Sequence, residues 1–418
     1  MQPIDRSSPV DIAIVGAGAA GLATGIFAAR RDPSLRIVAL DGAAKLGAKI
    51  LISGGGRCNV TNRIISADDY CGGNVHLVRR ILAALPVEAT ITFFREIGVS
   101  LHEEEYGKLF PDTNRARTVL DALLGEARRL GIEIRCGRRV TAIERCNEGF
   151  RLSVGGEALA AQKVVLATGG LSYPKTGSDG TGYQLASSLG HTLTPTTPAL
   201  APLILDGDFH TALSGIAHEV ELTIRPAEGK AVRIRGPMLW THFGISGPAA
   251  LDASRHWHRA GLEQGGVSMS ASFLPGESFE TAEAGLVAKA GAQPRALLHT
   301  VLSTMLPARV ATAMLKQLRI SERVQMAHLT RDDRRRLVRG LLEWPMPIMD
   351  SRGYAHAEVT AGGVPLTEVN AATMESRVCP GLYLVGEILD VEGRLGGFNF
   401  QWAWCTGFVA AGGLTRPG

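Results

Sequence analysis

The chain has 418 residues, 45% of them hydrophobic and 20% charged, with a formal net charge of +4. That length exceeds one ordinary core and calls for two or three domains or one large domain with an insertion. The composition is that of a globular protein, and the mild charge gives no reason to expect nucleic acid or an anionic membrane as partner. No apolar run approaches the ~20 residues that span a bilayer, and the start MQPIDRSSPV lacks an apolar core of signal-peptide length. The six cysteines include no C-x-x-C pair. This argues against structural zinc, a redox couple or a disulfide framework, so no metal and a cytoplasmic home are expected.

The segment DIAIVGAGAAGLATGIFAARR predicts a buried strand from Asp11 to Val15, a glycine turn, and a helix to about Arg30. LRIVALD predicts a second buried strand ending at Asp41. The three form a βαβ unit with parallel strands. Gly16, Gly18 and Gly21 make G-x-G-x-x-G between strand and helix, the context in which that pattern is informative. Gly16 permits the tight turn, Gly18 lets bare backbone approach a pyrophosphate, and Gly21 allows close helix–strand packing. Ala19 and Ala20 contribute further amides at the helix start. Asp41 is placed to accept hydrogen bonds from an adenosine ribose.

SGGGRCNVTN follows (Ser53 to Asn62), a composition that helices and strands avoid because each glycine costs roughly 0.5–1 kcal/mol in either. NVHLVRRILAAL, VEATITFFREIG and NRARTVLDALLGEARRLG carry helical spacing. IEIRC, RVTAIERC and FRLSVGG are strand candidates, and KVVLATGG (Lys163 to Gly170) reads as a buried strand. HTLTPTTPALAPLIL has the look of a crossing linker. Residues 191–355 read as an inserted domain, antiparallel strands (HEVELTIRP, KAVRIRGPMLWTH) followed by helices from about Pro294 to Gly340. The flanking segments, 1–190 and 356–418, then make one split domain. Its return carries AEVTAGGV and the buried strand GLYLVGE.

Gly25 extends the fingerprint to G-x-G-x-x-G-x-x-x-G, and the chain here resembles FAD-binding enzymes of the glutathione reductase type. LATGG (Leu166 to Gly170) and GLYLVGEILDVEGRLGGFNFQWAWCTGFVAAG resemble the second and third signatures of that group. GGGRCNVTN, TGGLSYPKTGSDGTGYQLASSLGH, LWTHFGISGPAAL, TAGGV and GEILDVEGRLGGFNFQWAWCTG narrow this to the YhiN/BaiN-like flavoproteins, a bacterial family with aminoacetone-oxidase-like and 3-dehydro-bile-acid reductase-like members. The similarity runs from about Asp11 to Gly412. It implies an α/β fold, a glutathione-reductase-type, Rossmann-like FAD-binding domain interrupted by a mixed β/α insert. Asp41 departs from the Glu more usual in such relatives.

The resemblance implies cofactor contacts from Gly16, Gly18, Ala19, Ala20, Gly21 and Asp41, then from Lys49 and the run Ser53, Gly54, Gly55, Gly56, Arg57 and Asn59. Val140, Thr168 and Gly169 add the second wall. Gly386, Glu387, Asp390, Gly397, Asn399 and Phe400 add the third, with Asn399 and Phe400 near the flavin pyrimidine. Lys49 and Arg57 would neutralise phosphate or bind an anionic substrate. The catalytic candidates are Arg57, His242 and Arg394. Cys58 is read either as a small packing residue or as a thiol activated by Arg57, His242 as a proton donor or a residue bonded to nearby backbone, and RDDRRRLVRG as a solvated helix face without aromatic interleaving.

The expected function is an FAD-dependent oxidoreductase. It would move a hydride between flavin N5 and a small organic molecule, with NAD(P)H or oxygen as the partner, NAD(P)H visiting transiently because only one fingerprint is visible. Two alternatives stand beside it: a flavoprotein acting on or binding tRNA, and an FAD or redox sensor without turnover.

Overall fold

Residues 9–415 are described by a computed structural model; MQPIDRSS, where no signal peptide is expected, lies outside the described residues. The chain opens with β1 (Val10–Val15), α1 (Ala19–Arg31) and β2 (Ile37–Leu40), and the two strands are parallel as the βαβ reading requires. β1 and β2 are covered on both faces, which is why they read as continuous apolar runs without alternation. On the other side of β1 lies the parallel strand Glu157–Leu166, which pairs in turn with the short parallel strand Leu382–Leu384. Glu133–Arg135 extends the sheet past β2, and the antiparallel strands Gly149–Val154 and Val140–Cys146 complete seven.

Register decides what this sheet is for. Val15 lies beside both Leu40 and Leu166, and Leu166 lies beside Leu384. Four segments therefore leave the sheet at one carboxyl edge, where open α/β sheets bind their ligands. Behind that edge α1 packs on the final helix, Phe398–Leu414. Gly407 permits the contact, since a Cβ there would sit 3.0 Å from the Ala23 side chain and 3.1 Å from the Ala20 carbonyl oxygen.

The proline-rich HTLTPTTPALAPLIL is not a plain linker. It holds the strand Thr194–Ala199, paired with Val359–Gly363, and the strand Leu203–Leu205. Next to the first of these, His191 is buried with Nδ1 2.7 Å from Glu368 and Nε2 2.9 Å from the Ser376 hydroxyl. These bonds keep residues 191–197 with the first unit. The compact units accordingly divide at 197/198 and 357/358, where 190/191 and 355/356 were expected.

The second unit, residues 198–357, contains a seven-stranded sheet whose pairings are antiparallel, centred on the hairpin Ala217–Pro226 and Val232–Thr241. Helix Gly247–Gln264 packs on that hairpin, and the helices Phe279–Ala292, Leu298–Leu302, Ala308–Gln317 and Arg331–Leu342 follow. No helix among the described residues is long and apolar enough to cross a membrane.

Histidines make the second unit acid-labile. Burial pushes the His256 imidazole down to about 4 and lowers His210, His218 and His258 as well. The indole N–H of Trp240 donates to Nε2 of His218 at 3.0 Å, a bond only the neutral ring can accept. A depressed histidine pKa means that the unfolded chain binds the extra proton first. Stability is therefore complete above about pH 6.5 and falls as pH drops toward 4, by on the order of 3 kcal/mol from His256 alone. Denaturant titrations followed by tryptophan fluorescence at pH 7 and pH 5 should show this loss; equal midpoints would contradict it.

Candidate functional site

The first wall is the glycine turn between β1 and α1. Gly16 sits at φ +101°, a left-handed position that side chains rarely adopt, and a Cβ on Gly21 would overlap the Gly16 carbonyl oxygen. A Cβ on Gly18 would meet nothing within 4 Å. Two of the three glycines are thus needed to build the turn, while the third leaves space in front of it. Gly18 caps α1 with no side-chain bond, so the helix amides at Ala19 and Ala20 face that space uncapped. Asp41, at the end of β2, accepts from the Ala17 amide at 2.9 Å and from the Ala43 amide at 2.8 Å. It braces the turn, and an ionised carboxylate keeps further lone pairs for a ribose. Arg138 donates its amide to the Asp41 carbonyl at 2.8 Å, which sets the buried Val140 close by in the chain.

Thr168 and Gly169 form the second wall, at the end of the strand that neighbours β1. A Cβ on Gly182 would collide with the Thr168 side chain, and Gly169 is left-handed at φ +71°. On the third wall Gly386, at φ +74°, donates to Thr406 Oγ1 at 3.0 Å and accepts from Trp402 Nε1 at 3.2 Å. Both partners lie on the final helix. Glu387 is the hub of a bonded cluster: it accepts from Lys49 Nζ, from Ser172 Oγ at 2.8 Å and from the Thr360 amide at 3.0 Å. Asp390 is held through its amide, 2.8 Å from the Val364 carbonyl.

The glycine-rich run keeps the non-helical backbone that its composition predicts. It is not a free loop but the end of α2 (Ala48–Gly56), whose helical geometry breaks at Ser53, Gly54 and Gly55. Gly54, Gly55 and Gly56 are left-handed at φ +56°, +69° and +84°. The turn closes where the Cys58 amide returns to the Ser53 carbonyl at 3.0 Å. Gly54 also lies where a Cβ would press 2.9 Å from Phe110. The three glycines are exposed, whereas Cys58 and Asn59 are buried.

Asn62, which like Asn59 can donate and accept with little bulk, lies beyond the run expected to line the cofactor. Its Nδ2 donates to the Gly396 carbonyl and to the Tyr106 carbonyl, both at 3.0 Å, tying the glycine-rich run to the start of the final helix. That helix opens at Gly397, at φ +95°, with no side-chain cap. Ser172 and Thr360 were missed, since nothing local marks them as supports for Glu387.

Several of the expected site residues have partners within the chain. Lys49 is paired with Glu387, Arg57 with Glu104 at 2.6 Å, and Arg394 with Asp69 at 2.8 Å. Each cation therefore has a carboxylate partner within the chain. The Arg57 guanidinium, stacked 4.0 Å from the Phe110 ring centroid, holds the Glu104 carboxyl below its ordinary pKa. The Asn399 amide is bonded both ways to Gly393, at 2.8 and 2.9 Å, and Phe400 stacks on Trp404 at 5.6 Å. His242 belongs to the second unit, exposed in the turn after Val232–Thr241.

Cys58 is fully buried, and burial pushes its thiol up to about 12. Burial outweighs any help from the neighbouring Arg57, whose guanidinium pairs with Glu104. The packing reading is the one this geometry fits. Titration with a thiol-specific chromogen should label the exposed Cys136 and Cys146 first, leaving Cys58 unreacted until the protein unfolds. Rapid labelling of Cys58 in the native protein would contradict this.

These walls fit a dinucleotide. The fit rests on the space in front of Gly18, on uncapped helix starts at Gly18 and Gly397, and on Asn59 Oδ1, a buried acceptor with no hydrogen-bond partner among the described residues. A buried orphan acceptor costs about 1–3 kcal/mol, which an N–H from a bound ring would recover.

Comparison with known proteins agrees. Residues 10–413 match the family model described as the HI0933-like protein Rossmann domain. The chain is 35% identical over 401 residues to a ribosomal RNA dihydrouridine synthase of Escherichia coli, covering 96% of this chain and 97% of that protein. It is 33% identical over 399 residues to a 3-dehydro-bile acid delta(4,6)-reductase of Clostridium scindens, with the same coverage. Among solved structures, a 3-ketosteroid delta1-dehydrogenase of Sterolibacterium denitrificans shares the fold, with a TM-score of 0.51 at 12% identity over 98% of this chain and 99% of that one. The chain belongs to the HI0933-like family, and it is an FAD-dependent oxidoreductase.

Proposed function

We propose that the protein reduces a carbon–carbon double bond conjugated to a carbonyl, with NAD(P)H as the electron source. The observation that carries this reading is that two relatives, similar over nearly the whole chain, bear names for one bond change on unrelated substrates. Dihydrouridine is uridine with its 5,6 double bond saturated, and a delta(4,6)-reductase by its name saturates ring double bonds.

Bound FAD would supply a two-electron carrier able to take a hydride from NAD(P)H and give one up from N5. The chain's own residues do the rest. The open amides at Gly18, Ala19 and Ala20 bind the pyrophosphate, and Asp41 takes the ribose hydroxyls. The uncapped helix start at Gly397 favours negative charge near N1 of the ring, and Asn59 Oδ1 accepts from a ring N–H. Arg57 and Arg394 are half-exposed, and each keeps guanidinium N–H donors beyond its carboxylate partner. In this reading they polarise the substrate carbonyl, so that hydride addition at the far carbon leaves a stabilised enolate, which takes a proton to complete the product.

Anaerobic addition of NADH and of NADPH tests it. One of them should bleach the flavin, and an enone or a uracil-containing acceptor should restore the colour with one double bond lost. Recovery with oxygen alone would overturn the proposal. So would a flavin that neither nucleotide reduces.

A further inference from the structure

Charge is unevenly spread in the second unit. Residues 289–339 hold eleven Lys and Arg against three Asp and Glu, a surplus of eight in a chain whose total is +4. As sequence, the arginine run in this stretch lacks an aromatic neighbour. Folding supplies one. Helix Arg331–Leu342 turns Arg336, Arg339 and Gly340 into a cleft of about 680 Å³, across from the loop Leu205–His210. Phe209 and Trp344 line this cleft and pack together with ring centroids 4.7 Å apart. Trp344 is buried behind, while Phe209 stays half-exposed.

The end of helix Ala308–Gln317 reaches the same cleft through Gln317 and Leu318. Gly340 allows this approach, since a Cβ there would sit 3.2 Å from Leu318 Cδ1. Lys316 and Arg319 flank those two residues and are exposed. Arg319 is left-handed at φ +54°, and the Ile320 amide bonds the Leu315 carbonyl at 3.0 Å. This is a helix-ending motif in which glycine is the usual occupant. A long cation stands where a residue with no side chain would carry no strain.

Arg336 is occupied by Asp333 at 2.6 Å, and Glu343 by Arg225 at 2.9 Å. Lys316, Arg319 and Arg339 have no ion pair among the described residues. Asp206 and Asp208 lie on the facing loop. The combination is a half-exposed ring, free cations on one lip and carboxylates on the other. A ligand that is only anionic, such as polyphosphate, would be repelled by the aspartates. A nucleotide suits all three: a π-face for Phe209, phosphates for the cations, and base N–H donors for the carboxylates.

We propose that this cleft docks single-stranded RNA, with one base against Phe209 and the neighbouring phosphates on Lys316, Arg319 and Arg339. The inference rests on the double-bond reading above, since uracil is one of the acceptors that reading admits.

The test is fluorescence anisotropy of a labelled oligouridylate with the full-length holoprotein, across a salt series. The wild type should bind, and more weakly as salt rises. The triple variant Lys316→Gln/Arg319→Gln/Arg339→Gln should lose at least about tenfold in affinity and flatten the logarithmic salt slope by about 2, from ~0.7 per phosphate contact. Phe209→Leu should weaken binding at least about fivefold without changing the slope, and a thermal melt establishes that this variant is folded. Arg117→Gln, an exposed cation of the first unit, should bind as the wild type does. No binding at low salt overturns the proposal. Binding that the triple variant retains, or that Arg117→Gln loses equally, overturns it too. Flavin bleaching by NAD(P)H is read separately, so failure of the reductase reading leaves a different signature from failure of RNA docking.

Discussion

Replacing Gly18 with alanine is expected to strip the protein of FAD while leaving it folded. The added methyl group meets no protein atom within 4 Å, and φ at this residue is an ordinary −81°. The fold therefore pays only for a poorer helix cap, about 1 kcal/mol, seen as a melting shift of roughly 2–4 °C. The methyl group instead fills the space where backbone must approach a pyrophosphate, so FAD affinity should fall at least about a hundredfold, close to 3 kcal/mol. Gly21→Ala should behave in the opposite manner. Its Cβ overlaps the Gly16 carbonyl oxygen, so the damage is to the fold itself, with a cost of several kcal/mol whether or not cofactor is present. Melting curves of apo- and holoprotein with calorimetric FAD titrations separate the two cases. A Gly18→Ala protein that holds FAD as tightly as the wild type would mean that the cofactor does not cross this turn.

The second large effect is expected at Lys49. Its ammonium group bridges Glu387 and Ser172, with Ser172 Oγ at 2.5 Å. The side chains of Lys49 and Glu387 are 28% and 17% exposed. Lys49→Met leaves the Glu387 carboxylate half-buried without its counter-ion. Since removing one member of a buried pair costs ~3–5 kcal/mol, this partly screened pair should cost about 2–3 kcal/mol and lower Tm by roughly 4–10 °C. The double variant Lys49→Met/Glu387→Gln should regain most of that loss. A glutamine oxygen still accepts from Ser172 and the Thr360 amide, and no charge is stranded. The double-mutant cycle should give a coupling of at least about 1 kcal/mol. Strict additivity of the two single changes would remove the pair from the account.

The parts legible in sequence were those whose cause is local. The β1 turn announces itself because three glycines, a strand and a helix fall within twenty residues, and each glycine has a steric reason that the structure repeats at Gly16 and Gly21. The far walls could be located because each joins a buried strand to a glycine at its carboxyl end. What the side chains do there was less accessible. Lys49 and Glu387 are 338 positions apart, and Asn62 and Gly396 are 334 apart, so no window of sequence contains either pair. Lys49 and Arg57 were read as ligands of phosphate or an anionic substrate without their carboxylate partners in view, because Glu387 and Glu104 come from other parts of the chain. The arginine run of the second unit lacked an aromatic partner for the same reason, since Phe209 enters the cleft from more than a hundred residues upstream. At Ser53–Gly56 composition read the backbone correctly: helical geometry breaks at Ser53, and Gly54, Gly55 and Gly56 take left-handed φ that other residues rarely adopt.

The central claim is that Gly18–Ala20, Asp41, Thr168, Gly386 and Asn59 surround a single FAD, and a crystal structure of the holoprotein tests it most directly. The account predicts pyrophosphate oxygens within about 3 Å of the Gly18–Ala20 amides, ribose hydroxyls on Asp41, and the flavin ring beside Asn59 and the start of the final helix. Electron density for the dinucleotide at any other place, or a ring that leaves Asn59 Oδ1 without a donor, would contradict it.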